Sequence, residues 1–396
     1  MTKTSPKKQV RKSGDRISVP TSTSTDVSAS TDGEVRIARI RTSDRQAFKR
    51  CRRRWNWTSN LKQNLDTKFR PSYFWIGTGG HFALEDYHGY NAYGHPIEAF
   101  RAYVQAYRKW TSRSNVEHEM PDDWKAQQEM GEAILDYYVT DWLRNRNPYK
   151  TLWVNEKPQV ELNIEIPLPF TAGQLEYFGY TQVVYGMKLD RLCLDLDNTL
   201  WVQDYKFFKN LNIDPLDWDE QMSAYVWGAS CIYEQLVEGA IHLQFKKQIA
   251  QPPKILTTGR ISTDKHQGTT HRLYEQALRQ LYGDLSKAPM TNIECLGHFA
   301  EIESEDRDAF ILRERTRRNL AEQQATGTQI MMEVAEMLDP HLPIYPNHTK
   351  DCSWDCQFSS VCQAVDRDDD WAAELEETST TREEEATGWR ALLPNP

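Results

Sequence analysis

No apolar run in the 396 residues approaches the roughly 20 that a membrane span needs, and no apolar stretch of signal-peptide type follows the N-terminal methionine. A protein of the cytoplasm, with no membrane partner, is therefore the expectation. The Gly-x4-Gly-Lys-Ser/Thr phosphate loop of a helicase motor is also missing. Nor does any internal repeat point to a solenoid or propeller. Seven cysteines are too few for a disulfide scaffold at this length. The chain lacks an overall positive charge as well: its net charge is −9. Residues 1–54 hold 15 Lys/Arg against 5 Asp/Glu, residues 366–396 hold 3 against 10, and the stretch between is at −12. That balance excludes nonspecific coating of nucleic acid, so any such contact is a local basic patch. Arg50 to Arg54 and Arg313 to Arg318 are the candidates.

What is present suffices for a large core, since 39% of the residues are apolar and 11% aromatic. Residues 1–35 are rich in Ser, Thr and Lys with almost no large apolar side chain, and read as a disordered basic arm. Residues 36–365 form the folded domain, and 366–396, with two runs of three acids, read as a disordered acidic tail.

Thr42-Ser43 is expected to cap a helix carrying Phe48, Cys51, Trp55 and Trp57. A helical insertion follows at about 77–150, where His81 to Tyr90, Ile97 to Trp110 and Trp124 to Leu143 have apolar residues at helical spacing. From Gln159 the period changes to two, giving strands at Val160 to Ile166, Tyr180 to Leu196 and Leu200 to Phe208. A helix at Asp217 to Gln235 and a strand at Ala240 to Ile249 come next, then long helices at His271 to Leu285 and Arg307 to Leu338. The fold class is α/β, with a mixed central sheet flanked by helices and helical additions at both ends.

Four short motifs carry chemistry. Asp204-Tyr205-Lys206 ends an apolar strand, and its carboxylate and amine, two residues apart, project from one face. Asp190, in Gly186-x3-Asp190-Arg191, lies on the preceding strand, so the two carboxylates can share a hard divalent cation. Gln221 and Tyr225 are spaced i, i+4 on the following helix and can lay one face over the site. Gly77-Thr78-Gly79-Gly80-His81 is expected to open a helix with His81 in its first turn, where a neutral imidazole can ligate metal. His88 and Glu156 are weaker candidates for the same site. Such a set suits phosphodiester hydrolysis.

Taken in this order, the four motifs resemble the PD-(D/E)XK nuclease superfamily, in particular its RecB-like branch, over roughly residues 40–365. The resemblance implies a restriction-endonuclease-like core and a Mg²⁺- or Mn²⁺-dependent deoxyribonuclease. In it His81, Asp190 and Asp204 hold the metal, Lys206 acts in catalysis, and Gln221 and Tyr225 form the helical motif. The implied activity is exonucleolytic hydrolysis of linear DNA, duplex or single-stranded, in recombination, repair or phage-type DNA processing, with a recombinase or annealing protein as a partner. The alternatives are an endonuclease with the same site chemistry, and a metal-stapled DNA-binding or assembly module without catalysis.

Cys352, Cys356 and Cys362 gather three soft ligands within eleven residues, in a segment spanning 348–365. Cys51, flanked by arginines expected to lower thiol pKa values, is the natural fourth. CRISPR-associated exonucleases of the RecB-like branch join one N-terminal and three C-terminal cysteines around a [4Fe-4S] cluster, and the resemblance implies that cofactor here. Zinc satisfies the same four thiolates.

Overall fold

The computed structural model describes residues 35–68, 75–112, 123–146, 149–212, 216–304, 307–382 and 384–394. The expected basic arm thus lies almost wholly outside the described residues. Among the described residues no helix is long and apolar enough to cross a membrane.

Strand β1 (Ile37–Arg41) leads into helices α1 (Thr42–Arg50) and α2 (Arg52–Thr58), and β2 (Leu65–Thr67) follows. Helix α1 starts at Thr42 itself: Arg41 is the N-cap, and the Asp44 carboxylate accepts from the Arg41 backbone N–H at 3.0 Å. The helical insertion comprises α3 (Trp75–His88), α4 (Pro96–Thr111), α5 (Trp124–Tyr137) and, after a π-turn, α6 (Leu143–Arg146). Three two-residue strands, β3 (Lys150–Thr151), β4 (Trp153–Val154) and β5 (Lys157–Pro158), precede the meander. The meander is β6 (Val160–Pro167), short helix α7 (Ala172–Phe178), β7 (Gln182–Leu194) and β8 (Leu200–Phe208). Helix α8 (Glu220–Tyr233) then crosses over to β9 (Gly239–Lys246), parallel to β8.

Beyond it come α9 (His271–Tyr282), α10 (Met290–Ser304), β10 (Ile311–Arg317) and α11 (Leu320–Leu338). The long helix expected from Arg307 therefore gives way to a strand at its start, and only Leu320–Leu338 is helical. Its arginine-rich sequence reads as a helix surface, but Ile311, Leu312, Arg313 and Thr316 are buried against the antiparallel β9. Tertiary pairing outweighs local propensity here.

The sheet is mixed and seven-stranded, in the order β1-β7-β8-β9-β10, with β3 and β6 also on β7. Along β8, Leu200 and Val202 enter the core shared with α1, α8 and α11, while Tyr205 and Phe207 pack on the other face with α3, α4 and α5. Alternation on one strand thereby separates two hydrophobic layers.

One feature of the register positions the site. β6 occupies one edge of β7 from Pro167↔Val184 to Val160↔Arg191, so β1 and β8 must share the other edge. β1 pairs in parallel as far as Arg41↔Gly186, and β8 pairs antiparallel only from Gln203↔Arg191. Between Gly186 and Arg191 that edge opens into a fork.

The C-terminal segment is folded, contrary to the expected disordered tail. After α12 (Cys352–Asp355) and α13 (Ser359–Arg367), α14 (Trp371–Thr378) runs into β11 (Ser379–Thr381), which pairs with β2. The acids serve local structure: the Asp370 carboxylate caps α14 by accepting from the Ala373 N–H. Trp389 is buried against Phe82 and Tyr103, with ring centroids at 5.4 and 4.7 Å. Arg390 pairs with Glu85 of α3 at 2.7 Å. The acid runs masked an apolar anchor only a few residues further on.

Candidate active site and cysteine-lined cavity

At the mouth of the fork β8 has lost its β7 partner, and the Asp190 side chain takes over. Its Oδ2 accepts the Tyr205 backbone N–H at 2.7 Å. The carboxylate thus stands where a strand carbonyl would, fixed on Oδ2 by that N–H and turned to His81 with Oδ1. Gly186 needs no special backbone freedom: its φ is not positive, and a Cβ there would meet only the Ile40 carbonyl at 3.8 Å.

His81 arrives from α3. That helix begins at Trp75, so His81 sits in its second turn rather than its first. The glycines act by close approach: a Cβ on Gly80 would lie 2.2 Å from the Phe207 ring, and one on Gly79 would lie 2.5 Å from Tyr103. Only with no Cβ at these positions can α3 lie against β8 and α4 closely enough to deliver the imidazole. Its Nδ1 is then 3.3 Å from Asp190 Oδ1 and 3.9 Å from Glu161 Oε1.

Glu161 is the residue that sequence reasoning missed. It lies across from Asp190 on β6 in a left-handed conformation, φ +48°, that breaks the ladder between Val160 and Leu162. Within a run alternating Val160, Leu162, Ile164 it reads as one more solvent-facing polar residue. The one signal was its register opposite Asp190, which follows only once the meander is paired. Glu161 also forms an ion pair with Lys188. The weaker candidate Glu156 instead sits in the exposed turn joining β4 and β5.

Asp204 and Lys206 share the opposite lip. The Lys206 ammonium is 2.8 Å from each Asp204 oxygen, yet Oδ2 is buried and receives no aligned hydrogen bond. The site therefore gathers three carboxylates, one imidazole and two amines. His81, Glu161 and Asp190 offer ligand atoms within 4.8 Å of one another; Asp204 borders this group without joining it.

The electrostatics follow from that crowding. Burial opposes a charged His81, but Asp190, Glu161 and Asp204 outweigh it and push the imidazole up to about 10. Burial also raises Asp204, and Asp190 adds to it against the pull of Lys206, leaving the carboxyl at about 6. Asp190 and Glu161 are themselves pressed upward by burial but end below their ordinary range, held there mainly by His81. Lys206 loses hydration by burial, yet the two aspartates keep it above the ordinary lysine value. Three carboxylates that hold a histidine protonated, and a carboxylate oxygen without an aligned donor, are an arrangement in which a bound cation would take the place of that proton.

Helix α8 closes the site from one face. The Asp219 carboxylate caps it, accepting from the N–H groups of Gln221 and Met222 at 2.8 and 3.1 Å. The Gln221 amide donates to the Tyr225 hydroxyl at 2.7 Å, so the two expected residues act as a pair. His88 does not take part: it is buried at 2.9 Å from the Tyr138 hydroxyl, and desolvation keeps it neutral.

The expected basic patches are largely engaged in the fold. Arg50 and Arg54 pair with Asp355, Arg52 with Glu336, and Arg53 with Asp366. Arg318 is buried and donates to the Ser223 hydroxyl and the Leu216 carbonyl.

Cys51, Cys352, Cys356 and Cys362 line one cavity of about 240 Å³ between α2 and the C-terminal helices. Backbone N–H groups point at two of the sulfurs, from Asn347 to Cys51 at 3.4 Å and from Thr349 to Cys352 at 3.3 Å. Arg53 donates to Cys362 at 3.2 Å. Burial raises the Cys356 and Cys362 thiols and outweighs the arginines expected to lower them. No three of the four sulfurs form a group within 4.8 Å, whereas tetrahedral zinc thiolates stand about 3.8 Å apart at Zn–S bonds of about 2.3 Å. A separate group, His348, Cys362 and Asp366, does lie within that distance but is more exposed and shares Cys362.

In comparisons with known proteins, the chain matches no family model and no curated protein.

Proposed function

We propose that this chain is a metal-dependent DNA nuclease with a PD-(D/E)XK core of the RecB-like type, hydrolysing phosphodiester bonds of linear DNA as an exonuclease. The observation that carries this reading is the fork itself. Asp190 and Asp204 stand on two parted strands, with His81, Glu161 and Lys206 turned toward the gap. The donors are oxygen and imidazole nitrogen, the set that suits Mg²⁺ or Mn²⁺. His81, Glu161 and Asp190, whose ligand atoms lie within 4.8 Å of one another, would hold the ion, with Asp204 at its border.

Bound there, the cation would supply a water of lowered pKa and polarise a phosphoryl oxygen. The protein's own groups do the rest. Lys206, kept charged by Asp204, places an ammonium beside the attacking water or the developing oxyanion. Asp190 locks its carboxylate plane through the Tyr205 N–H, and so fixes where a phosphate sits. The Tyr225 hydroxyl, accepting from Gln221, keeps its own proton for an oxygen of the substrate.

Cys51, Cys352, Cys356 and Cys362 around the cavity would hold the [4Fe-4S] cluster that the resemblance implies, with zinc as the alternative for the same thiolates. Its role is to tie α2 to the C-terminal helices. The test is hydrolysis of linear DNA with Mg²⁺ or Mn²⁺, set beside closed circular DNA. Products from the linear substrate alone support the exonuclease; cleavage of the circle makes it an endonuclease, and no cleavage of either removes the nuclease reading.

A further inference from the structure

Helix α13 carries Cys362 and Asp366 four residues apart, so a thiol and a carboxylate project from one face. The segment before α12 brings His348 to that face, at the wall of the cysteine cavity. Contacts with the chain on either side of Cys51 hold the segment there. The Tyr345 carbonyl accepts from the Arg53 N–H at 3.1 Å, and the Asn347 side chain donates to the Arg50 carbonyl at 3.0 Å. Neither His348 nor Asp366 belongs to the fork or to the four-cysteine set.

The His348 Nε2 stands 3.0 Å from Asp366 Oδ2 and 3.7 Å from Cys362 Sγ, and the three donor atoms lie within 4.8 Å of one another. A histidine and an aspartate paired on a surface are ordinary and worth little. The sulfur sets this pair apart. A ring nitrogen has one in-plane direction, along which it carries one proton or one lone pair, so it serves the carboxylate or the thiol but not both. A metal ion among the three serves all of them. Zn–S bonds of about 2.3 Å and Zn–N and Zn–O bonds of about 2.0–2.2 Å set N···S at about 3.6 Å and N···O at about 3.4 Å in a tetrahedral site. Both observed distances lie within about 0.4 Å of those values.

The surroundings agree with that chemistry. Arg53 donates to Cys362 Sγ at 3.2 Å and to Asp366 Oδ1 at 2.8 Å. It thereby orients both anionic donors and leaves Oδ2 for an ion, as the outer partners of metal ligands do. One thiolate and one carboxylate offset a divalent charge, and sulfur with imidazole nitrogen selects zinc over Mg²⁺. The side chains of His348 and Asp366 are 58% and 37% exposed, so an ion enters from solvent and a water completes the fourth position. We propose that His348, Cys362 and Asp366 form a zinc site that shares Cys362 with the four-cysteine set, so that zinc occupies it only while no iron-sulfur cluster fills the cavity. The zinc site stands apart from the nuclease reading; its exclusion by a cluster rests on the cofactor proposed above.

The test is metal binding by the full chain, stripped of iron with a chelator and titrated with Zn²⁺ against a chromophoric competitor. Co²⁺ in place of zinc reports thiolate ligation and tetrahedral geometry by its absorption. Wild type should bind one zinc per chain. His348→Ala and Asp366→Asn, both at exposed positions, should each weaken binding about tenfold or more, with the Tm of the metal-free chain unchanged. Cys356→Ser removes a cluster thiolate but none of the three donors, and should bind zinc as wild type does. Wild-type affinity in His348→Ala would overturn the proposal. So would loss of zinc in Cys356→Ser, which would place the ion among the four cysteines, and so would a wild type that binds no zinc. Anaerobically purified chain with its cluster intact should take up zinc only as iron leaves, and uptake at full iron content would overturn the sharing of Cys362. A wild type that never carries iron but binds zinc through His348 removes the cluster and leaves the zinc site. None of these measurements reads hydrolysis, so failure of the nuclease reading leaves them untouched.

Discussion

The fork and the cysteine cavity each bring side chains from distant parts of the chain to one point, yet they balance charge in opposite ways. At the fork, three carboxylates face two amines and a histidine that they hold protonated, and the buried Asp204 Oδ2 has no aligned donor. Around the cavity, every arginine from Arg50 to Arg54 has an acidic partner and two of the sulfurs already accept backbone N–H groups. In the proposed reading the fork takes a cation and suits a reaction in which charge moves. The cavity is settled, and suits a fixed group that joins Cys51 to helices three hundred residues later. Chemistry and architecture are thus held apart, and damage to one should leave the other readable.

The sharpest break of that division comes from Asp204→Ala or Lys206→Ala. Either should cut hydrolysis of linear DNA by about a thousandfold or more, because each removes a group that acts on the reacting atoms. Iron content and Tm should stay near wild type. A variant that loses iron together with activity would show that the two regions are one unit.

Cys51→Ser is the converse. It should abolish the visible absorption and iron of anaerobically purified protein and lower Tm by several degrees. The activity that remains should track the folded fraction. A colourless wild type containing zinc would reassign the cavity and leave the fork untouched.

Trp389→Ala probes a second tie, between the C-terminal segment and α3. Removing a buried Trp that packs on Phe82 and Tyr103 should cost about 3–5 kcal/mol. Denaturant unfolding measures it, and a loss under 1 kcal/mol would return the segment to the status of a solvated tail.

The contrast also explains what could be read in advance. Asp190, Asp204, Lys206 and the Gln221/Tyr225 pair were legible because strand alternation and helix spacing fix the facing of residues close in sequence. That Cys51 and the three C-terminal cysteines border one cavity was legible from their chemistry. Glu161 was not, since its role depends on a ladder break that puts a non-glycine residue at φ +48°. β10 and the packed tail were hidden for a related reason: Arg313 and Trp389 are buried by partners far away in sequence, and composition in their own windows points the other way.

Glu161→Gln against Glu156→Gln turns that lesson into a measurement. The first removes a charge 3.9 Å from His81 Nδ1 and should weaken Mn²⁺ binding by about 10- to 100-fold. The second alters an exposed turn and should change nothing. Equal effects, or none from Glu161, would take that residue out of the metal site.

The smallest expected effect tests how far the fork's influence reaches into α8. Tyr225 is pushed above its ordinary range chiefly by burial, with Asp204 and Asp190 adding to it, so its hydroxyl remains a neutral donor. Because that oxygen accepts from Gln221, its own proton is left for another acceptor, in the proposed reading an oxygen of the substrate. Tyr225→Phe should therefore slow turnover about three- to tenfold with KM nearly unchanged, the pattern of an interaction made mainly in the transition state. Gln221→Ala should do the same through loss of orientation, and the double variant should be little worse than either single one, since each breaks the same hydrogen bond. Additive losses would mean that the two side chains contact the DNA independently, and that α8 belongs to binding rather than to the chemistry at the fork.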